Sequence, residues 1–278
     1  MYRLLARADE GAGRFSDASH AYQLAAGGDP SEENLFGVAY ELILAGLPRD
    51  AEQAFAAAVK RVPRSIQLRI GLGSAQFLLG HTAEAIRTLL QAVEMDPADP
   101  RAYSFLLSAA STAHDEAEQV QAAFERFLTL APENPRASYY LALVMLHQPA
   151  AYEVTRRRRI EGLLKHAILL DPNLADAHLQ LGVLYAREGE YEPAAHELEQ
   201  EIRISPDSKE AHYRLALAYR QLGQLDASAK QMQLFRELQA QSPAAKVGMG
   251  VDVDQFISVL GKPSPVAGGE SLCPGDSP

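Results

Sequence analysis

The sequence lacks the residues and runs on which several classes of protein depend. It contains one cysteine and no tryptophan in 278 residues. Because that cysteine, Cys273, lies in a segment rich in proline and glycine, neither a disulfide framework nor a thiolate metal site can form within one chain. No apolar run approaches the ~20 residues that a membrane-spanning helix requires. We therefore expect no disulfide, no metal and no membrane segment.

The first residues, MYRLLARADEGAG, also lack the long apolar stretch of a secretory signal. This predicts a cytoplasmic location for the chain as written. If residues are missing upstream of Met1, a signal peptide could stand among them, and the predicted location would become periplasmic or secreted.

Positive charge is scarce, with 26 lysines and arginines against 36 aspartates and glutamates. Nonspecific nucleic-acid binding needs an extended basic face, so the net charge of −10 argues against it. The one strong charge run comprises Arg156, Arg157, Arg158 and Arg159. One interpretation is a solvated helix face that Glu153 and Glu161 partly neutralise. The other is an anion contact for an acidic or phosphorylated partner segment.

Recognisable catalytic sets are also missing. Gly71 and Gly73 suggest a phosphate loop, but no lysine accompanies them. His178 and His212 lie 34 residues apart, and no carboxylate or third histidine stands at ligand spacing. His196 is not followed by a second histidine at zinc-protease spacing. We predict no enzyme activity, no cofactor and no metal.

What the sequence does contain is an internal repeat. Prolines recur at Pro30, Pro63, Pro97, Pro132, Pro172 and Pro206, with successive differences of 33, 34, 35, 40 and 34 residues. Two antiparallel helices of roughly a dozen residues each, with two short turns, need about 34 residues. The period therefore predicts a series of helix pairs.

Small residues recur in the same register as the prolines. In the first helix of each pair they are Ala6, Ala39, Gly73, Ser108, Ala142, Gly182 and Ala216. In the second helix a bulky residue recurs at Tyr22, Phe55, Leu89, Phe124, Leu164, Leu198 and Met232. Large side chains can fill the space that small ones leave where two helices approach closely. Glycines between the two helices, Gly13, Gly46, Gly80, Gly189 and Gly223, are typical of left-handed helix ends.

The most regular repeat resembles a known family. The stretch from Leu174 to Asp207 has Leu181, Gly182, Tyr185, Ala194, Leu198 and Pro206 at the spacing W-x2-L-G-x2-Y…A-x3-F…P, with His178 in the tryptophan position. The chain is thereby identified as a member of the tetratricopeptide repeat family, of the bacterial type. The resemblance covers nearly all of residues 1–242 and implies an all-α, right-handed solenoid. Its seven units are 1–31, 32–65, 66–99, 101–134, 135–174, 175–208 and 209–242.

The last residues, 243–278, are rich in glycine, proline and serine and are predicted to be mostly disordered. A short apolar segment, 251–260, interrupts them with Val251, Val253, Phe256, Ile257 and Leu260. It could cap the last repeat as a strand or helix. It could instead dock into the groove of its own chain or of a neighbour.

In this family the first helices line a concave groove, and the resemblance assigns apolar and aromatic side chains to it. The candidate groove residues are Phe36, Tyr40, Ile70, Phe77, Phe105, Tyr139, Leu143 and Tyr213, and the same face includes Leu146 and Val183. The lysines and asparagines of carboxylate-clamp members are absent from these positions. Such a groove suits an extended or helical protein segment anchored by apolar side chains. The competing interpretation is that these residues thicken the core.

The function predicted from these features is a noncatalytic scaffold that binds a protein or peptide partner. One alternative is the recognition arm of a larger or separately encoded enzyme, since the array resembles the one preceding the catalytic domain of O-linked N-acetylglucosamine transferase. Another is a self-associating structural solenoid that stacks end to end through its imperfect first unit.

Overall fold

The computed structural model describes residues 1–97, 99–110, 117–147 and 153–241. Fourteen α-helices and no strands lie within these ranges. The helices form an all-α array of helix pairs. In chain order they are α1 Tyr2–Gly11, α2 Phe15–Gly28, α3 Glu32–Leu44, α4 Pro48–Arg61, α5 Ile66–Leu78, α6 Thr82–Met95, α7 Pro100–Ala110, α8 Ala117–Leu130, α9 Pro135–Leu146, α10 Val154–Leu170, α11 Ala175–Arg187, α12 Tyr191–Ile204, α13 Lys209–Gln221 and α14 Leu225–Gln241. The predicted tail, 243–278, with its apolar segment 251–260, lies outside the described residues.

The turns within the pairs follow the glycines. All five predicted turn glycines have positive φ, among them Gly46 at 74° and Gly189 at 80°. After Gly46, the amide of Leu47 donates to the carbonyl of Leu42 at 2.9 Å, which closes the end of α3. A side chain with a Cβ is disfavoured in this left-handed conformation, so glycine sets where these five first helices end.

Residues Met1–Ala75 form one compact unit. Its core is aromatic: the Phe36 ring stacks on Tyr40 at 5.4 Å between centroids and meets the edge of Phe55 at 5.7 Å. Gly37 lies under the Tyr22 ring, so closely that a Cβ there would stand 2.7 Å from a ring carbon. The aromatic side chain of α2 therefore rests directly on the backbone of α3.

The second compact unit begins at Gln76, and its described helices run from α6 to α14. Its core includes the Tyr103 ring, which stacks on Phe127 at 4.1 Å, and the fully buried Leu198. A Cβ on Gly182 would stand 2.8 Å from Leu198 Cγ, which shows the small and bulky positions of the repeat in contact. The pairing of small and large residues that the sequence indicates is thus a real packing contact in this repeat.

In the last two repeats, a histidine occupies the position that holds tryptophan in the repeat pattern. His178 Nε2 lies 3.2 Å from the carbonyl of Pro172, and His212 Nε2 lies 2.9 Å from that of Pro206. Both histidines are buried, and each therefore ties the start of a first helix to the proline that closes the preceding repeat.

Candidate partner-binding groove

The structure places the eight candidate groove residues in two different environments. Phe36, Tyr40, Ile70, Phe105 and Tyr139 are buried, none more than 9% exposed. Phe77 and Leu143 are half-buried, and Tyr213 is 39% exposed. Only the last three present surface that a partner could contact without displacing packed side chains.

Three of the five buried residues, Phe36, Tyr40 and Tyr139, lie against other aromatic rings. Tyr139, for example, lies 5.8 Å from the ring of Tyr140, and burial raises its pKa far above the ordinary tyrosine value. Burial also raises the pKa of Tyr40, with a further contribution from the nearby charge of Glu41. For these five residues the structure favours the second interpretation, in which they thicken the core.

In the 101–134 repeat, the structure gives a different register from the one assigned by the spacing of small residues. Tyr103 donates to the carbonyl of Pro97, as His178 contacts that of Pro172, so Tyr103 holds the tryptophan position of this unit. Counted from that position, Ser108 corresponds to Val183, and both residues are half-buried. The first helix of this unit is therefore read one residue too late when Ser108 is taken as its small residue.

A cavity of about 260 Å³ opens between two successive first helices, α9 and α11. Its lining residues are Leu143, Leu146, His147, Gln180, Val183, Leu184 and Arg187. Residues three, four and seven apart lie on one face of a helix, so each helix offers one continuous stripe to this cavity. We call this surface the α9–α11 groove. It includes Leu143 of the candidate set, together with Leu146 and Val183 of the same predicted face.

The chemistry of the α9–α11 groove is mixed in an ordered way. Leucine and valine side chains form the apolar part, while His147, Gln180 and Arg187 supply the polar part. The Nδ1 atom of His147 lies 2.7 Å from the carbonyl of Leu143, so the ring is held at the end of α9. A concave apolar surface with a few polar groups is the usual form of a site that takes one apolar side chain and orients the chain around it.

The arginine run begins α10, and two of its members reach back to α8. Arg156 Nη2 donates to Gln121 Oε1 at 3.0 Å, and Arg159 Nη2 donates to Glu125 Oε1 at 3.0 Å. These contacts join the second helices of neighbouring repeats. They give the run a role within the fold that the charge pattern alone does not indicate.

The other two arginines differ from each other. Arg157 Nη1 lies 3.7 Å from Glu188 and 3.8 Å from Glu190, in the turn between α11 and α12. Arg158 is exposed and forms no ion pair with another part of the chain that the structure describes. Of the four predicted anion contacts, Arg158 and Arg159 are exposed, and Arg159 is paired with Glu125.

Two stretches, residues 42–108 and 179–245, each match a model of the tetratricopeptide repeat. They fall on separate parts of the helix-pair array, the first reaching from the end of α3 into α7 and the second from α11 past the end of α14. The chain is a tetratricopeptide repeat protein. No curated protein matched it in a sequence comparison.

Solved structures show the same tetratricopeptide fold. A tetratricopeptide repeat protein from Parabacteroides merdae is 12% identical, with a TM-score of 0.62, and the match covers 93% of this chain and 97% of that one. The Cut9–Hcn1 hetero-tetramer of the APC/C gives 15% identity, a TM-score of 0.58, and coverage of 87% and 46%. A thermophilic tetratricopeptide repeat protein of Thermus thermophilus gives 22%, 0.51, and 70% and 97%. At these identities the likeness concerns the fold alone.

A second cavity in this tetratricopeptide repeat protein lies on the last helix pair. It measures about 420 Å³ and is lined by Lys209, Glu210, Tyr213, Arg214, Phe235 and Gln239. The Tyr213 and Phe235 rings, which both line it, lie 5.3 Å apart between centroids. The repeat pattern predicts Tyr213 as a surface residue but not Phe235, whose position in the repeat is alanine in several other units.

No group of three or more histidine, cysteine, aspartate or glutamate side chains stands close enough to hold a metal ion in the described part of the chain. Among the described helices, none combines the length and the apolar character needed to cross a membrane.

Proposed function

We propose that this chain is a noncatalytic scaffold that binds a segment of a partner protein along its first helices, with the α9–α11 groove as the anchoring site. The observation that carries the proposal is the placement of half-buried apolar side chains from two successive first helices around one cavity. The tetratricopeptide fold is typical of protein interaction scaffolds, which is consistent with this use.

The helices that form the groove are already folded, so binding would not require them to become ordered. The main favourable contribution would be the burial of apolar area, at about 25 cal/mol per Å². Because the groove is rigid, the entropy cost of ordering falls mostly on the partner segment. A rigid groove therefore binds more tightly than a flexible groove that buries the same area. The proposal therefore favours a segment with one bulky aliphatic or aromatic anchor.

The polar residues of the groove define what should flank that anchor. Gln180 can donate to and accept from a peptide backbone, and Arg187 brings donors to the end of the groove where His147 lies. We propose a carbonyl or carboxylate on the partner segment near Arg187, next to the apolar anchor.

The test begins by selecting peptides from a displayed random library on the immobilised full-length chain. The affinity of a selected, fluorescently labelled peptide is then measured by anisotropy for three variants. Val183→Glu and Leu146→Glu place a charge in the groove, whereas Leu169→Glu makes the same change on a side chain of α10 that is 77% exposed. We expect at least about ten-fold weaker binding for the two groove variants, as for truncation of a central anchor, and unchanged binding for the control. Equal affinities for all three variants would overturn the proposal.

A further inference from the structure

The last described helix, α14, exposes a face that the earlier second helices of the compact unit beginning at Gln76 bury. At the equivalent positions of α6, α8, α10 and α12 stand Ala92, Phe127, Ala167 and Glu201, none more than 3% exposed. Each is covered because the first helix of the following pair packs against it. In α14 that position is Phe235, which is only half-buried, and α14 has no buried residue at all. No described helix follows α14.

The exposed face is concave and has an aromatic patch beside charged side chains. Phe235 and Tyr213 line the cavity of about 420 Å³ described above, and the half-buried Leu238 lies one turn further along α14. This is the surface on which each earlier helix pair receives the next first helix. We call it the α13–α14 face.

The first helix, α1, presents the other half of the same kind of interface. Leu5 precedes the buried Ala6 just as Leu141, Leu181 and Leu215 precede the small residues of α9, α11 and α13. Those three leucines are at most 1% exposed, whereas Leu5 is 50% exposed and the adjacent Leu4 is 72% exposed. The apolar side of α1 is therefore exposed in the part of the chain that the structure describes.

We infer that the α13–α14 face of one chain receives α1 of a second copy, so that chains associate head to tail. The two faces are complementary halves of an interface that this fold already makes between α6 and α7, α8 and α9, α10 and α11, and α12 and α13. Because the two faces differ, the contact is heterologous, and each added copy offers the same two faces to further copies. The contact lies outside the α9–α11 groove and does not depend on the proposed partner binding.

The test uses two full-length variants and one control. Leu5→Glu disables the α1 side, Tyr213→Glu disables the α13–α14 side, and Leu169→Glu places the same charge elsewhere. Both altered side chains are already partly exposed, at 50% and 39%, and circular dichroism melting checks that each variant is folded. The mass in solution is measured by light scattering over a wide concentration range.

We expect the mass of the wild type and of Leu169→Glu to rise with concentration to at least twice the mass of one chain. Leu5→Glu and Tyr213→Glu should each remain monomeric, and their equimolar mixture should form a dimer that grows no further, because it joins the one intact face of each. A wild type that stays monomeric overturns the inference. If the Phe256→Glu variant then associates where the wild type does not, the chain's own 251–260 segment is the occupant of the face instead. Unequal effects of the two variants, or a mixture that stays monomeric, also contradict head-to-tail contact.

Discussion

Glu41 is the residue whose position departs most from the repeat. The equivalent positions in other first helices hold Ala75, Val144, Leu184 and Ala218, all buried and apolar. Glu41 is 1% exposed, and its Oε2 atom makes no hydrogen bond with any described residue. Burial raises the pKa of its carboxyl from 4.5 to about 7. A group in this state weakens the fold whenever it ionises.

The pKa of Glu41 predicts a pH dependence of stability with a definite sign. Since the folded-state pKa lies above the unfolded one, the folded chain binds more protons between about pH 4.5 and 7. The contribution of Glu41 to the free energy of unfolding is therefore largest at low pH and falls by up to about 3 kcal/mol as pH rises through this window. Urea unfolding of the wild type and Glu41→Gln at pH 5 and 7.5 measures it. The variant should lose less stability between the two pH values, and parallel losses would contradict the account.

Gly182 provides a second test at the scale of single atoms. An added Cβ would stand 2.8 Å from Leu198 Cγ and 3.2 Å from the carbonyl oxygen of Ala194. We expect Gly182→Ala to lower the free energy of unfolding by about 1–3 kcal/mol through overpacking. Gly162, inside α10, has nothing within 4 Å of an added Cβ. Gly162→Ala is the matched control and should raise stability by roughly 0.5–1 kcal/mol, because alanine is the better helix former. Equal effects would show that α11 and α12 do not pack as described.

At the scale of helices, the sequence could predict the pairs but not the surface they expose. Gly46 and Gly189 mark helix ends because only backbone geometry decides those positions. Whether Tyr139 or Leu143 reaches solvent depends on the side chains of neighbouring repeats, which a repeat period does not specify. The same holds for the arginine run, where Arg159 pairs with Glu125 from a helix 34 residues earlier. Neighbouring charges in the sequence, Glu153 and Glu161, suggested a different set of partners.

The terminal helix should be the least protected of the described helices. No residue of α14 is buried, whereas α12 buries Ala194, Ala195, Leu198 and Glu201. Local opening costs least where few side chains are buried. In hydrogen exchange on dilute protein we expect the amides of α14 to exchange at least about ten times faster than those of α12. If association covers the α13–α14 face, this difference should shrink as the protein concentration rises. Equal exchange in both helices at low concentration would contradict the packing described for α14.

Across the whole molecule, different parts of the surface of the tetratricopeptide array serve different uses. The repeats supply similar helix pairs, and stability in such arrays is close to a sum of units and their nearest-neighbour contacts. Distinct chemistry arises at the leucine- and valine-lined space between α9 and α11, and at the exposed faces of α1 and of the α13–α14 pair. The sequence alone could assign the family and the periodicity. It could not separate groove from core, because both use the same apolar residue types on the same helices.

The central claim is that a partner segment is anchored between α9 and α11, and photo-crosslinking tests it most directly. A peptide selected on the full-length chain carries a benzophenone beside its apolar anchor, and mass spectrometry locates the crosslinks. The account predicts crosslinks within Leu143–His147 and Gln180–Arg187, and their loss in the Val183→Glu variant. Crosslinks confined to the second helices or to the α13–α14 face, unchanged in that variant, would contradict it.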